Sequence, residues 1–218
     1  MKNGTAYATK LKKAWAKMRP GAAAEADEDK PDPLFCLATG ILGASLSKDQ
    51  VRRVIERLTT EAVDWNEIRV SNADDLAAIA GAKMQPDAFQ RLIDALQHLY
   101  DKENALGMDR LGNMGRREAR QYLESLNGMD EYAVATVMLW YLGGHAIPVN
   151  DSMLKILHDE DLVNPEASRA EVQAFLERHI SAADGRQFVA TLENHKSTKA
   201  KKVKTTKKKT VKKKSKKS

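Results

Sequence analysis

At 218 residues, 42% of them apolar, the chain is long enough to bury one sizeable core or two lobes of one fold. The single cysteine, Cys36, excludes an intramolecular disulfide and any cluster that needs four thiolates. The net charge of +6 is uneven: residues 196–218 hold 13 Lys and no acid, residues 1–19 hold six basic groups and no acid, and residues 20–195 carry a net −13.

The first residues, Met1-Lys2-Asn3-Gly4-Thr5, lack an apolar signal core, and no run approaches the roughly 18 apolar residues of a membrane span. The expectation is a soluble, intracellular, cytoplasmic protein. Tyr7, Leu11, Trp15 and Met18 recur every three to four positions and predict a basic amphipathic helix over 6–18. Gly21 to Pro33, with Ala22-Ala23-Ala24 and five acids, reads as a linker. Leu34, Leu37, Ala38, Ile41 and Leu42 predict a helix at about 34–45, with Cys36 a buried small hydrophobe inside it. The next spans about 48–58, with Val51, Val54, Ile55 and Leu58 on one face. Ser71-Asn72-Ala73-Asp74 resembles a capping signal before Leu76 and Ile79. Pro86 suits the first turn of a helix that carries Phe89, Leu92, Ile93, Leu96, Leu99 and Tyr100.

Arg116 to Leu126 then leads into the most informative segment. It holds a glycine hairpin (Asn127-Gly128-Met129-Asp130), an apolar helix (Tyr132 to Leu142), a break at Gly143-Gly144, and Ile147-Pro148-Val149-Asn150-Asp151 opening another helix near 152–158. Two further helices are predicted near 168–180 and 184–194. No stretch alternates with period two, so the class is all-α. A Leu-x-Gly turn between helices can grip a DNA phosphate, because glycine allows φ > 0 and the next helix offers its first N–H groups. The plain alternative is a helix–helix turn in an ordinary bundle. Trp65, Trp140 and Tyr141 are expected in the core, with Tyr141 also a candidate to line a cleft. His145 lies in a loop, and His98, His158, His179 and His195 are isolated, with no spacing that suggests metal ligation.

The tail is low-complexity. Lys201, Lys202, Lys207, Lys208, Lys209, Lys212, Lys213 and Lys214 stand among Ser, Thr and two Val, a composition that predicts disorder and non-specific contact with nucleic acid.

The segment 122–157 resembles the helix-hairpin-helix (HhH-GPD) DNA glycosylases of the endonuclease III type, on Leu126-x-Gly128, the apolar helix after it and the 22-residue spacing from Gly128 to Asn150. The resemblance covers roughly residues 33–195. It implies two helical lobes flanking a cleft: a hairpin lobe of about 46–148, and a second lobe of about 33–45 plus 150–195. Residues 1–32, a basic helix and an acidic linker, and the tail 196–218 stand outside it. The family's catalytic Asp falls on Asn150 and its Schiff-base Lys on Tyr132, with Asp151 a candidate substitute that also reads as a helix cap. Asn127, Gly128, Met129, Asp130 and Lys155 fall on DNA-facing positions. The iron–sulfur cluster of many relatives needs four thiolates, so no cofactor is expected here. The implied partner is DNA, lesion-bearing through the cleft and non-specific through the tail, with the protein associated with DNA in a nucleoid or nucleus. Three functions follow: a base-excision-repair glycosylase, an inactive relative that binds DNA, or a chromatin-like architectural protein acting through scaffold and tail.

Overall fold

The computed structural model describes residues 4–19, 31–44, 46–62, 64–81 and 84–195. The predicted linker lies largely outside these residues and the Lys-rich tail entirely so. The described residues form helices and no strand, as the periodicity predicts. In chain order the α-helices are α1 (Gly4–Met18), α2 (Pro33–Leu42), α3 (Lys48–Glu61), α4 (Trp65–Val70), α5 (Ala73–Ala80), α6 (Pro86–Glu103), α7 (Arg116–Glu124), α8 (Glu131–Trp140), α9 (Asp151–Asp159), α10 (Arg169–His179) and α11 (Gly185–Asn194). A 3₁₀ turn at Asp109–Asn113 precedes α7.

Local chemistry sets most of the starts. Asp32 accepts from the Phe35 amide and Pro33 occupies the first turn of α2, where its missing N–H costs nothing. Ser47 with Gln50, and Ser168 with Glu171, close capping boxes on α3 and α10. Asn72 caps α5, as the sequence suggests. Helix α4 has no counterpart in the periodicity: it is six residues long and buries Ile68 alone, too few positions for a repeat to show.

Two cores result. The first gathers α2 to α8 around Leu37, Ile41, Leu58, Phe89, Leu96, Leu123 and Val134. The second gathers α1 and α9 to α11 around Leu11, Val149, Met153, Leu176 and Phe188. Trp15 of α1 meets Phe188 edge-on, 5.2 Å between ring centroids. The helix that the sequence sets apart in 1–32 thus contributes to the second core. Helix α2, allotted to the second lobe by the resemblance, buries Leu34, Leu37 and Ile41 in the first. The cause is Gly40, where a Cβ would stand 2.8 Å from the Ala133 Cα, so α2 and α8 cross backbone against backbone.

Helix α8 is buried from Tyr132 to Leu139. Its flanks face the first core while Leu139 enters the second, so it is the shared spine of the two lobes. The hairpin before it fixes where it begins. Gly128 has φ +77°, and a Cβ on it would overlap the Arg91 carbonyl of α6. The Asn127 amide donates to His98 Nδ1 at 3.0 Å, a second tie to α6.

Gly128→Ala should therefore destabilise the protein by roughly 2–4 kcal/mol, summing a left-handed penalty and an overpacked contact. Gly112→Ala, where a Cβ meets nothing within 4 Å, should stay within about 0.5 kcal/mol. Urea unfolding of the two variants measures the contrast, and equal stabilities would remove the hairpin contact from the account.

Candidate functional site

The hairpin reaches α8 through Asp130. Its carboxylate accepts from the Ala133 amide at 2.9 Å, which makes it the helix N-cap, and its other oxygen pairs with Arg91 at 2.9 Å. Arg91 in turn donates to the Ile41 carbonyl of α2 at 2.7 Å. Both ends of this guanidinium are committed inside the protein. A phosphate arriving at the hairpin would meet a carboxylate at the helix N-terminus, with Glu131 exposed beside it. Met129 is half-buried against the first core, and its amide donates to the Leu126 carbonyl at 3.3 Å. Lys155 is exposed on α9 and pairs with Asp159 at 3.3 Å. The eight tail lysines lie outside the described residues.

Asn150 and Tyr132, the two positions singled out by the resemblance, lie near one another. Asn150 is buried and caps α9: its Oδ1 accepts from the Met153 amide at 2.9 Å, and its Nδ2 points at the Leu46 carbonyl at 3.5 Å. The same side chain stands near the Tyr132 hydroxyl and favours its ionised form. Burial works against ionisation and, with the nearby Glu193, pushes the phenol up to about 12, so Tyr132 is neutral at pH 7. Asp151 is different. It is exposed and held by Arg169 of α10, and its backbone N–H donates to the Ala44 carbonyl at 3.2 Å. The cap of α9 is Asn150, one residue before Asp151, which the sequence suggests, because Asn150 has the extended backbone and the inward side chain a cap needs.

Between the lobes lies a cavity of about 170 Å³. Its walls are two stripes of one-turn spacing: Phe35, Thr39 and Gly43 on α2 and just past its end, and Tyr132, Thr136 and Trp140 on α8. Leu46, Lys48 and Val51 add the α3 side, and Glu193 of α11 closes it from the second lobe. The lining is largely apolar, but Thr39 Oγ1 and Glu193 Oε2 are enclosed without a hydrogen-bond partner in the protein. Lys48 Nζ stands 3.8 Å from Glu193 Oε2, an ion pair longer than a hydrogen bond. Burial pushes the Glu193 carboxyl up from the ordinary carboxylate range, with Lys48 acting the other way.

Glu193, Thr39 and Trp140 are the site residues that sequence reasoning passes over. A signal existed for Glu193, which stands one turn after Val189 on the buried face of α11. Tyr141 does not line this cavity. It is buried beside the 3₁₀ turn, with its hydroxyl 3.4 Å from the Met108 carbonyl, while the cavity takes its neighbour Trp140. His145 Nε2 contacts the Ile180 carbonyl at 3.0 Å, a structural tie. Cys36 touches the cavity, but burial pushes its thiol up to about 12, far from a reactive thiolate. Among the described residues no three His, Cys, Asp or Glu gather closely enough to hold a metal ion, and no helix is long and apolar enough to cross a membrane.

No family model and no curated protein matches the chain by sequence. Solved structures match it by fold. The chain is similar to an endonuclease III in a trapped covalent intermediate with DNA, at TM-score 0.62 and 16% identity, covering 88% of this chain and 85% of that one. It is similar to a Clostridium acetobutylicum 8-oxoguanine glycosylase/lyase bound to double-stranded DNA, at TM-score 0.60 and 16% identity, over 75% of this chain and 59% of that one. A thermostable thymine-DNA glycosylase matches at TM-score 0.53 and 15% identity, over 87% and 83% of the two chains. These likenesses establish the fold: it is the two-lobed helical fold of the HhH-GPD DNA glycosylases.

The Glu193 carboxyl yields a pH signature. A carboxyl held up in the folded state binds its proton more tightly there than in the unfolded chain, so its contribution is lost as pH rises through the folded value. Glu193→Gln should raise the thermal midpoint at pH 7 by a few degrees, and the gain should shrink toward pH 4. Scanning calorimetry at the two pH values checks this; a midpoint unchanged or lowered at pH 7 would mean that Lys48 fully compensates the charge.

Proposed function

We propose that this chain, on its glycosylase fold, is a DNA-binding protein of the base-excision-repair type in which base release is silent or very slow. One observation carries the reading. The residue at the family's carboxylate position is Asn150, buried and neutral, with its oxygen engaged by the Met153 amide. A glycosylase takes the target nucleotide out of the stack and breaks the base–sugar bond through a transition state with positive charge on the sugar. A carboxylate stabilises that charge and can orient or deprotonate the attacking water. Asn has nearly the shape of Asp but supplies no negative charge and no base. By analogy with the loss of one electrostatic stabiliser, the deficit is about 3–4 kcal/mol, or roughly 10²–10³ in rate.

The neighbouring residues support the same reading. Tyr132 has no amine with which to form a Schiff base, so a lyase step by the family route has no nucleophile. Asp151 has a charge, but it is directed to solvent and held by Arg169. The cavity beside Tyr132 is where the extruded base would sit in this reading, with no iron–sulfur cluster involved.

DNA affinity is assigned chiefly to the tail. The body between residues 20 and 195 is net −13, and Arg91 at the hairpin is neutralised by Asp130. That same charge distribution favours a second reading, a chromatin-like architectural protein that binds through its tail and uses the helical body only as scaffold.

Single-turnover base release from duplexes carrying oxidised, alkylated, deaminated and mismatched bases tests the chemistry. The parent should be silent or very slow, and Asn150→Asp, which keeps the acceptor for the Met153 amide, should recover at least about 10²-fold. A fast parent whose activity is abolished by Asp151→Asn would overturn the reading and make Asp151 the acting carboxylate. Deleting residues 196–218 should weaken duplex binding strongly at low salt and flatten the dependence of log K on log salt. If a truncated chain keeps both affinity and slope, the tail has no part in binding.

A further inference from the structure

We propose that Glu193 and Thr39 form the polar recognition pair of the interlobe cavity, selecting a planar single-ring heteroaromatic group that presents an N–H beside a carbonyl. The proposal rests on the reading of that cavity as a base-accepting site and names what it would select.

The size comes first. An apolar cavity of about 150 Å³ takes up benzene. At about 170 Å³, and partly open to solvent, this cavity matches one six-membered ring with small substituents. Its walls suit a flat guest, since Phe35, Tyr132 and Trp140 offer aromatic surface along two crossed helices. The polar groups come second. Enclosed polar atoms in folded proteins nearly always have partners. Here Thr39 Oγ1 on α2 has none in the protein and Glu193 Oε2 on α11 has only the Lys48 ammonium at 3.8 Å, and both line the same small space. A hydroxyl can donate to a ring carbonyl, and a carboxyl oxygen can accept from the N–H next to it. Lys48 holds the carboxyl from 3.8 Å without occupying the hydrogen-bonding distance a guest would use. The two groups come from different lobes, so the guest's edge would join them. Neither is required by the fold: Ile41 and Leu37 anchor α2, and Phe188 and Leu192 anchor α11.

The test uses the full-length chain without DNA. The Trp140 indole N–H, assigned by Trp140→Phe, is followed by ¹H–¹⁵N NMR during titration with uracil, cytosine, adenine and toluene. Uracil and cytosine should shift this signal in a saturable way, with toluene and adenine weaker. Thr39→Val and Glu193→Leu should each weaken uracil binding by roughly three- to tenfold. The thermal midpoint of Thr39→Val should be kept or raised, because an enclosed hydroxyl without a partner is replaced by a methyl of the same shape. A loss of binding with that stability separates recognition from a structural role. Toluene binding as tightly as uracil, unchanged binding in Thr39→Val, or no shift with any ring would each overturn the proposal. Duplex affinity of the unaltered chain, measured separately, decides the DNA-binding reading, so either can fail while the other stands.

Discussion

The arrangement of this protein depends on one close approach. At Gly128 the hairpin lies against the backbone of α6 at Arg91, with no room for a side-chain carbon between them. That contact sets the point and direction at which the chain leaves the hairpin, and Asp130 converts the exit into the first turn of α8. From there the spacing of the helix does the rest. Tyr132, Thr136 and Trp140 fall one turn apart on the cavity side, while Ala133 turns to Gly40 of α2. Placement of the site is therefore a matter of backbone fit at a glycine, transmitted along a helix that is buried for most of its length.

The same junction explains why the hairpin is electrostatically quiet. Asp130 cancels the positive end of α8, Arg91 cancels Asp130, and the Ile41 carbonyl accepts from the other terminal nitrogen of Arg91. Each step satisfies a group that would otherwise be left half-desolvated. Together they leave little unbalanced charge for a phosphate to find. A hairpin of the right shape can in this way hold the fold while contributing little attraction of its own.

The elements that were legible in the sequence are those whose cause is local. Apolar stripes marked α3, α6 and α11, and Leu126-x-Gly128 marked the hairpin that opens into α8. What was not legible depends on partners far apart in the chain. Arg91 and Asp130 are 39 residues apart, and nothing in either neighbourhood announces the pair. Glu193 prolongs the buried face of α11 by a charged residue, so a stripe read from apolar residues ends one position too early. Helix α2 joins the first lobe through Gly40 and Ala133, two small residues whose role appears only when the helices cross.

That crossing has a mechanical consequence. The cavity's long walls belong to α2 and α8, which touch backbone to backbone, whereas Glu193 arrives on α11, which Arg186 ties to the Leu139 and Trp140 carbonyls of α8. The slot's width is therefore set by the close approach of Gly40 and Ala133, and the position of its carboxyl-bearing side by a separate pair of hydrogen bonds to the same helix. The steric gauge and the chemical edge of the cavity thus rest on different contacts of one helix, so a change at Gly40 would alter the thickness admitted and a change at Arg186 the reach of the carboxyl.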